Sequence, residues 1–303
     1  MLRKPDTAAI DRRGLLGDLA ELVRAPAALT VPGDVLAGAV AAGNLRPGRL
    51  AGLAVSSVCI YWAGMALNDW ADREVDAVER PERPIPSGRV TPRTAFGLAA
   101  ALTTAGLGLA AAAGGPAAFR TSALLVATAW SYDLGVKNTP AGPAFMAAAR
   151  SLDVLVGAGE RRRKAWAPAL AIGTHILGVT AMSRGEVHGS TPLPARAALA
   201  ATSAITAGTV AGGSAASGIS STGSTAATAT LAAMFVQAVA PAQVAAAREP
   251  SGPKLRKAVG AGIHGLVPLQ AAWIARGGAP RLGAALIAAL PLARTLARKI
   301  SPT

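Results

Sequence analysis

Charge is scarce in this 303-residue chain, and aromatic residues and cysteine are scarcer. Charged residues make up 15% of it and aromatic residues 4%, and Cys59 is the single cysteine. One cysteine excludes a disulfide framework and a cysteine-built metal site. Cys59 sits within an apolar block and reads as a packing residue. So little charge, beside 51% hydrophobic residues gathered in long blocks, argues against a water-soluble core and for a membrane protein. Ala and Gly dominate the blocks, and small side chains let transmembrane backbones approach closely. Acids are the rarer sign, 16 against 30 Lys and Arg, for a net charge of +14. The basic residues stand in the gaps between apolar blocks, where they set topology and meet anionic lipid, so membrane lipid is the expected partner and nucleic acid is not. The N-terminus is charged, with Asp6, Asp11, Asp18 and Glu21 among Arg3, Lys4, Arg12 and Arg13, and no cleaved targeting segment is expected.

About 20 apolar residues cross a hydrocarbon core of about 30 Å. That criterion selects spans near 25–43, 50–68, 93–114, 117–135, 141–159, 166–183, 196–213, 225–247, 257–275 and 280–297. Gly, Ser and Thr crowd the entrance of the eighth, from Ser214 to Thr230. The expected organisation is a cytoplasmic segment, 1–24, followed by an all-α transmembrane domain, 25–300. With the N-terminus inside, 20 basic residues fall on the cytoplasmic side and nine on the other, Arg150 lying within a span. That excess predicts a multi-pass protein of the cell membrane with its acidic loop facing the cytoplasm. The run Arg161 to Lys164 opposes this orientation, and a re-entrant helix would accommodate it.

Carboxylates are costly in a bilayer, yet Asn68-Asp69-Trp70-Ala71-Asp72-Arg73-Glu74-Val75-Asp76 packs four acids at the end of the second span. On a continuous helix, at about 100° per residue, Asp69, Asp72 and Asp76 share one face, with Asn68 a turn before Asp72. Three neighbouring carboxylates repel unless a cation neutralises them, and hard oxygen ligands suit Mg²⁺ that also holds a diphosphate. The plain alternative is a solvated helix end balanced by Arg73, Arg80 and Arg83. Downstream, Pro81, Pro84 and Pro86 stiffen a loop whose Arg80 and Arg83 offer guanidinium forks to phosphate. Arg150 and Asp153 stand one turn apart in the fifth span, placed to pair with each other or to face a cavity. His175, in the sixth span, is either an acceptor base or a hydrogen-bonding partner of a neighbouring helix. Trp62, Trp130, Trp166 and Trp273 lie near span ends and read as interfacial anchors.

Asn68, Asp69, Asp72 and Asp76 match NDxxDxxxD, and Arg80-Pro81-Glu82-Arg83-Pro84-Ile85-Pro86-Ser87-Gly88 resembles the RPxRPIPSG loop; together they are similar to the signature of the UbiA-superfamily prenyltransferases. The resemblance implies an all-helical bundle of nine spans, or ten, around a central cavity. It also implies Mg²⁺-assisted transfer of a prenyl group from an allylic prenyl diphosphate to a small-molecule or lipid acceptor. Tyr132 to Lys137 and Arg150 to Asp153 resemble cavity-lining segments of the family, so Tyr132, Lys137 and Arg150 join Asn68, Arg80 and Arg83 as expected substrate contacts. Most of the family carries a second aspartate-rich motif after the sixth helix; here Met182-Ser183-Arg184-Gly185-Glu186-Val187-His188 keeps only Glu186 as a carboxylate, as in the EboC-like branch. The expected metal ligands are therefore Asp69, Asp72, Asp76 and Glu186, with Arg184 beside the diphosphate. A protein that binds or carries prenyl diphosphate or lipid on the same bundle, without transfer, is the alternative.

Overall fold

The computed structural model describes residues 14–211 and 222–289. The charges before Gly14, the tract 212–221, the end of the tenth span and Arg294, Arg298 and Lys299 lie outside the described residues. Long apolar stretches with few strand-forming aromatics give helices throughout, and among the described residues there is no strand. In chain order these are α1 (Leu15–Leu22), α2 (Pro32–Ala41), α3 (Pro47–Ala71), α4 (Arg73–Glu79), α5 (Pro92–Leu134), α6 (Gly142–Ala158), α7 (Trp166–Ser183), α8 (Leu193–Ala211), α9 (Thr222–Arg248), α10 (Gly252–Arg276) and α11 (Pro280–Ala289). Among the described residues, five helical stretches are long and apolar enough to cross a membrane: Pro47–Ala71, Pro92–Leu134, Gly142–Ser183, Gly223–Arg248 and Gly252–Arg276. The protein is a multi-pass membrane protein built as an all-α bundle.

Two of those stretches are antiparallel pairs. α5 reverses at Gly115, whose φ of 69° and ψ of −166° only glycine adopts at low cost, and Pro116 starts the return helix. α6 and α7 are joined by a tight 3₁₀ segment, Gly159–Ala165, which contains the basic run. Arg161 donates there to the Ala42 carbonyl at 3.3 Å, and Arg49 to the Gly157 carbonyl at 3.1 Å. The run thus caps the end of the bundle opposite Asp72, and no re-entrant helix is needed.

The first span is not one helix. Pro26 and Pro32 interrupt it, giving a 3₁₀ segment, Ala25–Thr30, and then the ten-residue α2. The N-terminus of α2 consequently starts inside the bundle, with Asp34 in its first turn, where the helix dipole favours an acid. α2 crosses α6 with no side chain between them: a Cβ at Gly38 would fall 1.8 Å from the Val154 carbonyl oxygen, and one at Gly157 would fall 2.0 Å from that of Val35. This contact sets Asp34 against the polar residues of α6.

The Ser- and Thr-rich entrance of the eighth span is helical from Thr222. Two of its hydroxyls are bonded to backbone: Ser224 donates to the Ala275 carbonyl of α10 at 2.5 Å and Thr228 to the Ser224 carbonyl one turn before it at 2.8 Å. Trp166 is half exposed, as an anchor should be, but Trp273 is buried in the core with the Arg276 guanidinium 4.5 Å from its ring centre. Trp62 and Trp130 pack with Trp70 around Leu22, Ile85 and Val90, which seats α1 on α3 and α5.

Replacing Gly157 by Val is expected to cost about 3 kcal/mol or more, because the obstacle is backbone rather than a movable side chain. Thermal unfolding in detergent checks this, with Gly97→Ala, where a Cβ meets open space, as the neutral comparison.

Candidate functional site

The helix that carries the acids breaks at Asp72. α3 ends at Ala71 and α4 begins at Arg73, Asp72 having φ −88° and ψ 3° between them. The three aspartates therefore do not form one flat row. Asp69 and Asp76, 5% and 3% exposed, converge on one guanidinium nitrogen: Arg83 Nη1 lies 2.5 Å from Asp76 Oδ2 and 3.4 Å from Asp69 Oδ1. Arg80 approaches Asp76 at 3.9 Å from an exposed position. Asp72 turns the other way and pairs with Lys137 at 2.6 Å. Asn68 donates from Nδ2 to Asp133 Oδ1 at 3.1 Å, joining the end of α3 to the end of α5.

Arg24, which sequence reasoning counted only among the cytoplasmic positive charges, completes this group. Its Nη2 lies 2.9 Å from Asp69 Oδ1 and its Nη1 donates to the Met65 sulfur at 3.3 Å. Its backbone is left-handed, φ 48° and ψ 50°, and it is the only non-glycine residue at positive φ among the described residues. That strain turns the chain from α1 into the first span and aims the guanidinium at the acids. No spacing rule marks such a residue; the signal lies in its backbone conformation.

Two hollows lie beside this group. The outer one, about 380 Å³, is walled by Asp72, Asp76, Arg80, Lys137, Ser183 and Arg184 among others. The inner one, about 110 Å³, is lined mainly by apolar side chains such as Ile60, Met65, Leu125 and Met146. Tyr132 lines both. Arg184 braces the outer wall by donating from Nη2 to the carbonyls of Lys137, at 3.2 Å, and of Thr139.

Several expected placements change. Arg150 does not pair with Asp153. It reaches across to α2 and pairs with Asp34 at 2.6 Å, while Asp153 accepts a hydrogen bond from Ser57. The close α2 to α6 contact brings the Asp34 carboxylate within reach of the Arg150 guanidinium. Arg150 and Asp153 line the inner cavity, far along it from Asp72. Glu186 does not border the outer chamber. Burial pushes its carboxyl up, against the opposing pull of Arg256 and Arg80. His175 is a core residue: it donates from Nε2 to the Gly262 carbonyl at 2.8 Å and stacks edge-on to Phe235.

Among the described residues, no three His, Cys, Asp or Glu side chains gather to hold one metal ion. The four expected ligands are thus not assembled as a set. Yet Asp69 and Asp76 offer oxygens to a single cationic position, and Mg²⁺ is commonly held by one or two carboxylates, with waters and substrate phosphates completing its shell. The donor chemistry at this pair fits that ion.

Arg89 uses its guanidinium to hold α1. It lies 2.5 Å from Asp18 and 3.0 Å from Glu21, and it donates to the Glu82 carbonyl at 2.8 Å and to Ser87 at 3.1 Å. Hydrogen bonding to Glu21 and Asp18 raises its hold on its proton despite partial burial. The Arg-Pro loop and the helix preceding Arg24 are thereby tied together.

Fold and site define a class: a polytopic helical membrane protein in which a charged chamber and a mainly apolar cavity share the Tyr132 wall. Residues 30–186, just over half of the chain, match the UbiA prenyltransferase family, and the chain belongs to that family. The digeranylgeranylglyceryl phosphate synthase of Natronomonas pharaonis is 42% identical over 85 residues, 28% of this chain and 31% of the relative. The chloroplastic chlorophyll synthase of Oryza sativa subsp. japonica is 42% identical over 84 residues, 25% of this chain and 22% of the relative. The matched stretch spans less than a third of the length of these curated relatives. A solved structure of digeranylgeranylglyceryl phosphate synthase superposes over 88% of this chain and 99% of its own, with a TM-score of 0.64 at 17% identity, a likeness of fold.

Arg24→Ala and Arg24→Gly both remove the Asp69 partner, but only glycine relieves the left-handed backbone. Arg24→Gly should be the more stable of the two by about 1 kcal/mol, read from thermal unfolding in the same detergent.

Proposed function

We propose that this protein transfers a prenyl group from an allylic prenyl diphosphate to an acceptor, with the diphosphate in the outer chamber and the prenyl tail in the inner cavity. The observation that carries this reading is that two hollows share Tyr132 as a wall, one bounded by Asp72, Asp76, Arg80 and Lys137, the other by Ile60, Met65 and Leu125. An amphiphile seated there has its first carbon at the boundary. Asp69 and Asp76 are the residues that would hold Mg²⁺, with Asp72 adjoining them. The ion, when bound, supplies Lewis-acid neutralisation of the charge that gathers on the leaving diphosphate.

The remaining work falls to the chain itself. The bond between the first carbon and the diphosphate oxygen breaks, its electron pair leaves with the diphosphate, and a bond from the acceptor to that carbon forms as the acceptor gives up a proton. Lys137 and Arg80, which wall the outer chamber, carry positive charge that stabilises the departing anion, and Arg83, which holds the cation position between Asp69 and Asp76, would turn toward the diphosphate when a metal ion takes its place. Arg24 and Asn68 act as positioning residues, holding Asp69 and Asp133 in place. The apolar lining excludes water that would otherwise capture the allylic cation. The excess of basic residues at the Asp72 end supports a cytoplasmic mouth. Relatives named for such different products as digeranylgeranylglyceryl phosphate and chlorophyll support prenyl transfer as a class and leave the acceptor open between small molecule and lipid.

The test incubates purified protein with labelled farnesyl or geranylgeranyl diphosphate, Mg²⁺ and a panel of glycerol-phosphate, lipid and quinone-precursor acceptors. Labelled product is expected, it should vanish on chelation, and Asp72→Ala should lower its rate by about 100-fold or more. Tight Mg²⁺-dependent binding of the diphosphates with no product across the panel would favour a carrier instead.

A further inference from the structure

α3 joins two levels of positive charge. Arg49, in its first turn, and Asp69, near its end, stand twenty positions apart, a rise of about 30 Å and thus the thickness of the hydrocarbon layer. At the mouth the cations come with carboxylates: Arg24 and Arg83 with Asp69, Arg89 with Asp18, and Lys137 with Asp72. At the opposite end they do not. The run Arg161 to Lys164 gathers there with Arg46 and Arg49, and Glu160 is the only acid beside them among the described residues. Every ion pair among the described residues involves other cations.

Two of these guanidiniums are held in place by neutral carbonyls, which leaves their charge uncompensated. Arg49 donates from Nη1 to the Gly157 carbonyl at 3.1 Å, and Arg161 from Nη1 to the Ala42 carbonyl at 3.3 Å. Gly159 makes the room, since a Cβ there would fall 2.5 Å from Arg49 Nη2. Arg46, Arg161, Arg163 and Lys164 are exposed. The arrangement is unfavourable by itself: Arg46 and Arg49 repel each other across one turn, and both stand at the N-terminus of α3, where the helix dipole disfavours a cation. Topology does not call for it either, because positive-inside bias is met by the larger basic excess at the mouth. Next to the run, Trp166, Leu170 and Leu177 form an exposed apolar strip on one face of α7, each at least 40% exposed.

We infer that this end of the bundle is a binding surface for an anionic glycerophospholipid, its phosphate seated among Arg46, Arg49 and the Arg161 to Lys164 run and an acyl chain lying along Trp166, Leu170 and Leu177. The phosphate supplies the counter-charge that the chain lacks, through the paired N–H donors that guanidiniums offer to its oxygens. The surface lies in the headgroup layer, where lipid phosphate is concentrated and Trp166 serves as an interfacial anchor. Being about 30 Å from Asp69, it stands apart from prenyl transfer and from whatever occupies the mouth.

Lipid titration and thermal unfolding of the full-length protein in one neutral detergent test this. Dioleoylphosphatidylglycerol should raise the unfolding temperature and bind about tenfold or more tightly than dioleoylphosphatidylcholine, with the preference shrinking as salt is added. Arg162→Gln/Arg163→Gln/Lys164→Gln keeps the Arg49 and Arg161 bonds to backbone and should lower phosphatidylglycerol affinity about tenfold, with phosphatidylcholine affinity unchanged. Arg93→Gln/Arg196→Gln/Arg248→Gln removes the same charge from exposed positions at the mouth end and should keep the wild-type preference.

A wild type with no preference for phosphatidylglycerol overturns the inference without any variant having to fold. So does a preference that survives in the far-end variant, or one lost equally in the mouth-end variant, which would make the effect one of net charge alone. Displacement of phosphatidylglycerol by inorganic diphosphate with Mg²⁺ would put the lipid at the mouth, and equal affinity for soluble glycerol phosphate would make this a phosphate site and not a lipid surface; either result also overturns it.

Discussion

Charge buried between membrane helices must find its partner within the bundle, because lipid supplies neither water nor counterion. Two pairings meet that requirement at two depths. At the mouth, Asp69 and Asp76 share Arg83 while Asp72 takes Lys137. Deeper in the bundle, Arg150 pairs with Asp34 and Ser57 bonds Asp153. Between them lies a mainly apolar cavity, lined by side chains such as Ile60, Met65 and Leu125.

The partners come from distant parts of the chain, so the pairings also hold the helices. Arg24 reaches Asp69 across 45 positions, and Gln270 reaches Asp34 across 236. These contacts depend on backbone approach. α2 meets α6 at Gly38 and Gly157, where a single methyl group would collide with a carbonyl oxygen, and that closeness puts Asp34 beside Arg150. At the other end, Arg89 binds α1 to the Arg-Pro loop, so the strained turn at Arg24 is supported from both sides.

Much of the architecture was legible in the residues. Apolar block length alone marked where the long helices lie, although the first block is broken at Pro32 and the last runs beyond the described residues. The motifs from Asn68 to Asp76 and from Arg80 to Gly88 pointed to the family that the comparison with known proteins supports. What periodicity misjudged was local. A continuous helix was assumed through Asp72, where the chain breaks, and Arg150 and Asp153, which their one-turn spacing allowed to pair or to face a cavity, both line the cavity while Arg150 pairs with Asp34 on another helix. Arg24, Asp34 and Gln270 carried no motif at all.

The sequence by itself determined that this chain is an all-α membrane bundle with an acidic, Arg-Pro-bordered mouth, because hydropathy, charge placement and motif spacing are properties of neighbours along the chain. Only the tertiary structure decided which cation meets which carboxylate, that Asp69 and Asp76 converge while Asp72 turns away, and which side chains line the cavity. Those outcomes depend on helix crossings and glycine contacts between residues more than a hundred positions apart, a geometry that spacing along one helix cannot encode.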